Sequence, residues 1–325
     1  MERMPDRRTI EAAIELAERA PSVHNSQPWS WQVSDSAVHL YADWDRHLPQ
    51  ADPDGRNLML SCGAVLHHLR VALAGFGWST RVLRLPRPFE PDHLATIELI
   101  GEQPSAADAA LSFEISRRRT DRRRYGPTPL PDHWLRKLVD AAETVDVACC
   151  AVEEDAAREG LITAMRDAWF DHTADPDYLF ELAMWSGRHA SDVGVPAANA
   201  VEVKADTEVP ARMFARYELT QPPGSANVRD AASLLAIGTA TDDRMSQLLA
   251  GEAASAVLLT ATSMNLATCL LTEPLEIADL RNDVQRDVFD DDLYPQLVIR
   301  VGTPLPQANP LPPTPRRTPR ILVRR

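Results

Sequence analysis

No window of this 325-residue chain approaches the ~20 consecutive apolar residues of a membrane span. The opening MERMPDRRTIEAA has no apolar run behind its charges of the kind a secretory signal needs, so a cytoplasmic location is expected. Cysteine is scarce. Cys62, Cys149, Cys150 and Cys269 show neither CxxC nor mixed Cys/His ligand spacing, and they read as buried thiols in a reducing compartment. His67 and His68 have no third ligand in spacing, and FDDD, 289–292, lacks the alternating ligands and glycine of a calcium loop, so no metal is expected. GxGxxG and GxxxxGK[ST] are both absent, which leaves a tightly held dinucleotide and an NTPase role without support. No convincing catalytic triad is present either.

Net positive charge is lacking too: the balance is −13, which argues against a general nucleic-acid or membrane-surface binder. Base is instead concentrated in two places. RRRTDRRRY holds six arginines between Arg117 and Arg124, and the last ten residues, RRTPRILVRR, hold five more. Near-consecutive arginines repel one another unless anions or carboxylates sit between them. Solvated surface charge, an anion site and nucleic-acid binding are the three readings. Guanidinium forks suit phosphate, and Thr120 adds a hydroxyl where backbone N–H groups can point at the same anion. A compact cluster fits one ligand phosphate better than DNA, which would spread the positive field along a face.

Hydrophobic periodicity outlines the chain. TIEAAIELAERA reads as a helix with Ile10, Ala13, Ile14 and Ala17 on one face and Thr9 as its cap. WSWQVSD and AVHLYAD read as strands; DPDG, 52–55, opens a long apolar helix from Asn57 that Gly75 and Gly77 end. TRVLRLP and LATIELIG read as strands and GEQPSAADAA as a linker. The order then repeats: a helix through Trp134, Leu135, Leu138, Val139 and Ala142, an apolar run VDVACCAV, and a second long helix GEAASAVLLTATSMNLATCLL. An amphipathic helix LRNDVQRDVF and a strand PQLVIRVG follow. This predicts two halves, 1–103 and 104–325, related by duplication. The second half carries about 80 surplus residues, placed at about 172–246 and expected to form a lid. Residues 304–319 hold seven prolines, so the arm 303–325 should run extended, ~3 Å per residue, far enough to carry Arg316 and Arg317 over the other half.

The densest stretch is RAPSVHNSQPWSW, Arg19–Trp31. Pro21 and Pro28 stiffen the backbone, so the hydrogen-bonding groups of Ser22, Asn25 and Gln27 are held in place at little entropic cost on binding. The plainer alternative is an ordinary helix-to-strand connection whose tryptophans only fill the core. APSVHNSQPW resembles the APSxxNxQPW segment of the FMN-dependent nitroreductase family. RRTDR, Arg118–Arg122, is similar to that family's RxSxR phosphate signature, and VIRVGTP with its proline-rich arm resembles the family's closing strand and extension. The layout resembles the duplicated Acg-type branch, and the resemblance covers nearly the whole chain.

That resemblance implies an α+β nitroreductase-like fold and bound FMN, with two fused halves acting as a pseudo-dimer that needs no second chain. It implies that Arg118, Thr120 and Arg122 hold the phosphate, with Arg316 or Arg317 closing on it. Ser22, Val23, His24, Asn25 and Gln27 would line the ribityl chain and ring, with Leu271 and Thr272 of LLTEP beside the ring. Whether His24 touches flavin or merely completes the turn stays open. The first half keeps the PSxxN segment and the second keeps the arginine segment, so one complete site per chain is expected between them. NADH or NADPH would reduce the flavin, which would pass electrons to a nitroaromatic or quinone, with no catalytic side chain required. The alternative is a flavin-sequestering protein whose lid keeps nicotinamide out.

Overall fold

A computed structural model describes residues 5–143, 147–187, 191–203 and 207–323. Parts of the run 145–152, of the expected lid and of the arginine tail therefore lie outside the described residues.

Helix α1, Arg7–Ala17, buries the four residues its periodicity marks. Its cap is Asp6 rather than Thr9: the Asp6 carboxylate accepts the Thr9 N–H at 2.8 Å. An ionised acceptor serves the positive end of a helix better than a hydroxyl one turn inside it, and the bond holds the Asp6 carboxyl below its ordinary range. Strands β1 (Trp29–Val33) and β2 (Ala37–Ala42) form an antiparallel pair, followed by helix α2, Arg56–Gly75, and strands β3 (Ser79–Arg84) and β4 (His93–Ile100). Helix α3, Ala106–Ile115, begins inside the expected linker, because the Ser105 hydroxyl accepts from Ala107 N and Asp108 N and starts a helix there. Helix α4 (Asp132–Glu143), strand β5 (Ala148–Ala151), and helices α5 (Asp155–Ala174) and α6 (Pro176–Trp185) come next. Strand β6 is Ser233–Thr239, so the stretch read as a lid at 172–246 contains a full strand of the second sheet, and the irregular part ends near residue 232.

The run at 251–271 is not one helix. Helix α7 begins earlier, at Arg244, where Asp243 accepts the Ser246 N–H, and it stops at Ser263. Asn265 then turns left-handed (φ 57°) and strand β7 follows, Ala267–Leu271. A strand covered on both faces has no alternation, so its apolar run merged with the helix before it. Helix α8 (Ala278–Phe289) and strand β8 (Tyr294–Gly302) follow, and the arm ends in β9, Ile321–Val323.

Two sheets result, ordered β3-β4-β2-β1-β9 and β5-β6-β8-β7. The last strand runs parallel to β1, with Ile321 opposite Trp31, so the end of the chain completes the sheet of the first half. Helix α2 shares a core with the first sheet, Cys62, Val65, Leu66 and Leu69 packing with Trp29, Trp31, Leu40 and Ile97. Helix α7 does the same for the second, through Val257, Leu258 and Ala261. By length and composition α2 could cross a membrane, contrary to the reading of the sequence windows, but 89% of its apolar window is buried within the fold. The two long helices cross at Gly63 and Gly251. A methyl group on Gly63 would lie 2.0 Å from the Leu248 carbonyl oxygen, and one on Gly251 would lie 2.1 Å from that of Leu60.

Candidate functional site

The bend between α1 and β1 takes up left-handed backbone at His24, Asn25 and Gln27 (φ 45°, 55° and 51°), without glycine. Such geometry persists only where surroundings over-determine it. Gln27 donates its backbone N–H to Ser22 Oγ (2.9 Å) and its amide to Asn25 O and Asp192 O (3.1 and 2.9 Å). Asn25 Nδ2 donates to Gly194 O and Pro315 O. Trp29 and Trp31 are more than core filler, because both indoles donate to the buried Glu18 carboxylate (2.9 and 2.8 Å).

The proline-rich arm straps this bend in place. Arg316 donates to Glu18 O, Arg19 O and Ala20 O, the carbonyls left open at the end of α1. Arg317 donates its N–H to Gln27 Oε1 (3.0 Å), its guanidinium to Trp29 O, and pairs with Asp43. Stiffness in this turn therefore fixes a docking surface for the chain's own end as well as a wall for a cleft.

That cleft lies between the two cores, its unoccupied space about 830 Å³ with the mouth included. Ser22, Val23 and His24 form one wall and Asn57, Ser61 and Ala64 of α2 another. Thr120 and Arg122 face them, with Leu271 and Thr272 after β7 and Arg212 and Phe214 from the irregular stretch. His24 is buried (6% exposed), and its Nδ1 has no partner among the described residues; the same holds for Asn25 Oδ1 and Arg118 Nε.

The arginine run is irregular, starting in the turn that ends α3, and its side chains part company. Arg117, Arg119, Asp121 and Arg123 line a groove beneath the arm, whereas Thr120 and Arg122 line the cleft. Arg117 is neutralised by Glu114, Arg123 by Asp121 and Arg124 by Glu208. The hydrogen bonds of the other three go to backbone carbonyls: Arg118 to Arg19 O, Arg119 to Leu311 O and Ser116 O, Arg122 to Asn199 O. Arg118 is buried (5% exposed) and faces Arg316, Arg119 and Arg122, so desolvation and like charge push it down to about 9. Arg122 lies over the Phe214 ring, 4.8 Å from its centre.

A polar chain ties the cleft to the start of α2. Arg212 pairs with Glu276, whose Oε1 also accepts from Asn57 Nδ2 (3.0 Å) and Thr272 Oγ1 (2.9 Å). Asp52, 3% exposed, accepts the N–H groups of Asn57 and Leu58 at 2.8 Å. Burial, with Glu276 nearby, nevertheless pushes the Asp52 carboxyl up to about 7. A folded-state pKa above the unfolded value means that its stabilisation is fully present below about pH 4 and is lost as pH rises through about 7. Urea unfolding of Asp52→Asn should therefore show a stability curve flatter than wild type between pH 4 and 7, by a few kcal/mol across the window. Parallel curves would contradict the burial argument.

Comparison with known proteins now bears on this geometry. The model of the nitroreductase family matches residues 115–303. Two proteins of Mycobacterium tuberculosis strain H37Rv named "Putative NAD(P)H nitroreductase", Rv3131 and acg, are 46% and 36% identical over 313 residues each. These alignments cover 96% and 95% of this chain and 90% and 93% of theirs. The chain belongs to the nitroreductase family. Its fold is accordingly the α+β nitroreductase-like one expected from the motifs. Among solved structures, the FMN-dependent nitroreductase NfnB from Mycobacterium smegmatis in complex with NADPH aligns with 62% of this chain and 90% of its own, at 13% identity and a TM-score of 0.36.

Of the expected site residues, Ser22, Val23, His24, Thr120, Arg122, Leu271 and Thr272 line the cleft. Arg118 lies buried beside it, charge-coupled to Arg122. Gln27, Arg316 and Arg317 do not line it. Most of their polar groups are taken by the bend and the arm, while Arg317 Nε has no partner among the described residues. Asn25 is divided, its amide nitrogen fastening Gly194 and its oxygen unpartnered. Asn57, Ser61, Arg212 and Phe214 were not anticipated. Asn57 and Ser61 were findable as an i, i+4 polar pair on an otherwise apolar helix. Arg212 and Phe214 lie in an irregular stretch without periodicity and carried no signal.

Proposed function

We propose that this nitroreductase-family chain binds FMN in the cleft between its halves and uses NADH or NADPH to reduce a nitroaromatic or quinone. One observation carries the reading: Arg118 is buried among arginines, donates to the Arg19 carbonyl, and has an Nε without a partner among the described residues. An unneutralised buried cation of this kind is unfavourable until an anion arrives, and a phosphate meets the need with forked acceptors. The residues present fit the group. Arg118, Thr120 and Arg122 would hold the phosphate, while Ser22–Asn25, Leu271 and Thr272 would face the ribityl chain and ring. Neutral polar orphans, His24 Nδ1 and Asn25 Oδ1, suit the hydroxyls and carbonyls of such a ligand. Asn57, Ser61 and the apolar Leu60, Ala64 and Ala254 complete the walls, which mix apolar surface with a few fixed polar groups as cofactor sites do.

Bound flavin would supply the electron transfer itself. The chain's part is anchoring, orientation and exclusion of water. Relatives named for NAD(P)H and nitroreduction support both the nicotinamide and the acceptor class. Free thiols throughout suit a reducing, cytoplasmic setting, and a strand order in which the chain's end completes its own first sheet suits a site that needs no second chain. To test this, protein loaded with FMN is mixed with NADH or NADPH under anaerobic conditions. Bleaching of the flavin absorbance within seconds is expected, and colour should return on adding a quinone. Flavin that dithionite bleaches but neither nicotinamide does would contradict the oxidoreductase reading.

A further inference from the structure

Among the described residues, Arg212 is the donor that reaches the His24 ring. Its Nη1 lies 3.2 Å from His24 Nε2, and it also donates to Tyr178 OH (2.8 Å). A guanidinium can only donate, so Nε2 must accept through its lone pair. Burial, together with the neighbouring Arg212 and Arg122, keeps the ring neutral. A neutral imidazole that accepts at Nε2 carries its proton on Nδ1. That nitrogen is buried, has no partner among the described residues, and belongs to a ring lining the cleft, edge-on to Phe214. Arg212 is itself fixed: Glu276 holds it from below, and Thr272 Oγ1 lies 3.3 Å from Nη2.

We propose that Arg212 locks His24 as the Nδ1–H tautomer and so makes it a hydrogen-bond donor to a planar acceptor in the cleft. That acceptor is a carbonyl or nitro oxygen, or a ring nitrogen. The inference rests on the proposed function only for where this chemistry comes from: the flavin ring or the reducible substrate. His24 touches the ligand; Arg212 acts through it as a positioning residue.

The tautomer is read by ¹⁵N NMR of histidine-labelled, flavin-free protein, with the His24 signals assigned by their loss in His24→Gly. In wild type Nδ1 should appear protonated and Nε2 bare. Arg212→Met should give a mixture of tautomers, and Arg212→Lys, which still donates, should restore the single form. Gly tolerates left-handed backbone and has no side-chain donor, so His24→Gly removes the donor without backbone strain. It should weaken the ligand about 3- to 10-fold, the worth of one neutral hydrogen bond. If the donor serves the flavin, the loss appears in the FMN Kd. If it serves the substrate, FMN Kd holds and kcat/KM for p-benzoquinone falls. A protonated Nε2 in wild type, or a His24→Gly protein unchanged in both constants, would overturn the inference. Failure of wild type to bind FMN would instead count against the proposed function, because the tautomer is measured without flavin.

Discussion

Arg118→Met should weaken FMN binding by about 100-fold, from the ~2–5 kcal/mol that removing one partner of a buried charged contact costs. The same substitution should leave the flavin-free protein as stable as wild type or more so. Met fills the space of the aliphatic stem while removing a buried charge that faces Arg316, Arg119 and Arg122. The two effects have opposite signs, which separates an anchoring role from a structural one. A structural arginine lowers the melting temperature of the flavin-free protein when removed. An anchoring one lowers only the extra stability that flavin confers, which scales with ligand concentration over Kd. Thermal melts with and without saturating FMN check both. A destabilised flavin-free variant that still binds FMN normally would remove Arg118 from the site.

Gly251→Ala should be among the most destabilising single-methyl additions in the chain. The new carbon would fall 2.1 Å from Leu60 O and within 2.9 Å of Gly63 Cα, both backbone atoms that cannot rotate away. Alanine gains ~1 kcal/mol of helix propensity over glycine. Forcing two close-packed helices apart costs about 3 kcal/mol or more, so the clash wins. Urea unfolding should report a loss of about 2 kcal/mol or more. Because α2 and α7 each carry cleft residues, Asn57, Ser61 and Ala254, Gly251→Ala should also loosen flavin. An unchanged midpoint would mean that the helices are not held this closely.

Much of this was legible from residue pattern, and the failures have physical causes. Pro21 and Pro28 announced a stiff bend, and part of that bend lines the cleft. The left-handed residues inside it were not legible, because His, Asn and Gln tolerate that region without advertising it as glycine does. Six arginines read as one cluster, yet the folded run turns its members to different sides, so part of the cluster faces the cleft and part is neutralised by its own acids. Arg316 and Arg317 were expected to grip a ligand. They were legible as cations on a reaching arm, but open carbonyls at the end of α1 and around the bend are equally good partners, and they lie closer. Arg212 is the instructive omission. Its role depends on Glu276 and His24, residues 64 and 188 positions away, and no local pattern encodes such a meeting.

Whether Arg118 and its neighbours anchor a phosphate in the cleft is measured most directly by parallel titration of the flavin-free wild-type protein with FMN and with riboflavin. FMN should bind at least about 100-fold more tightly, the difference expected when charge-assisted bonds to a phosphate are removed, and the gap should close in Arg118→Met. Equal affinities for the two flavins, or no binding of either, would contradict the account.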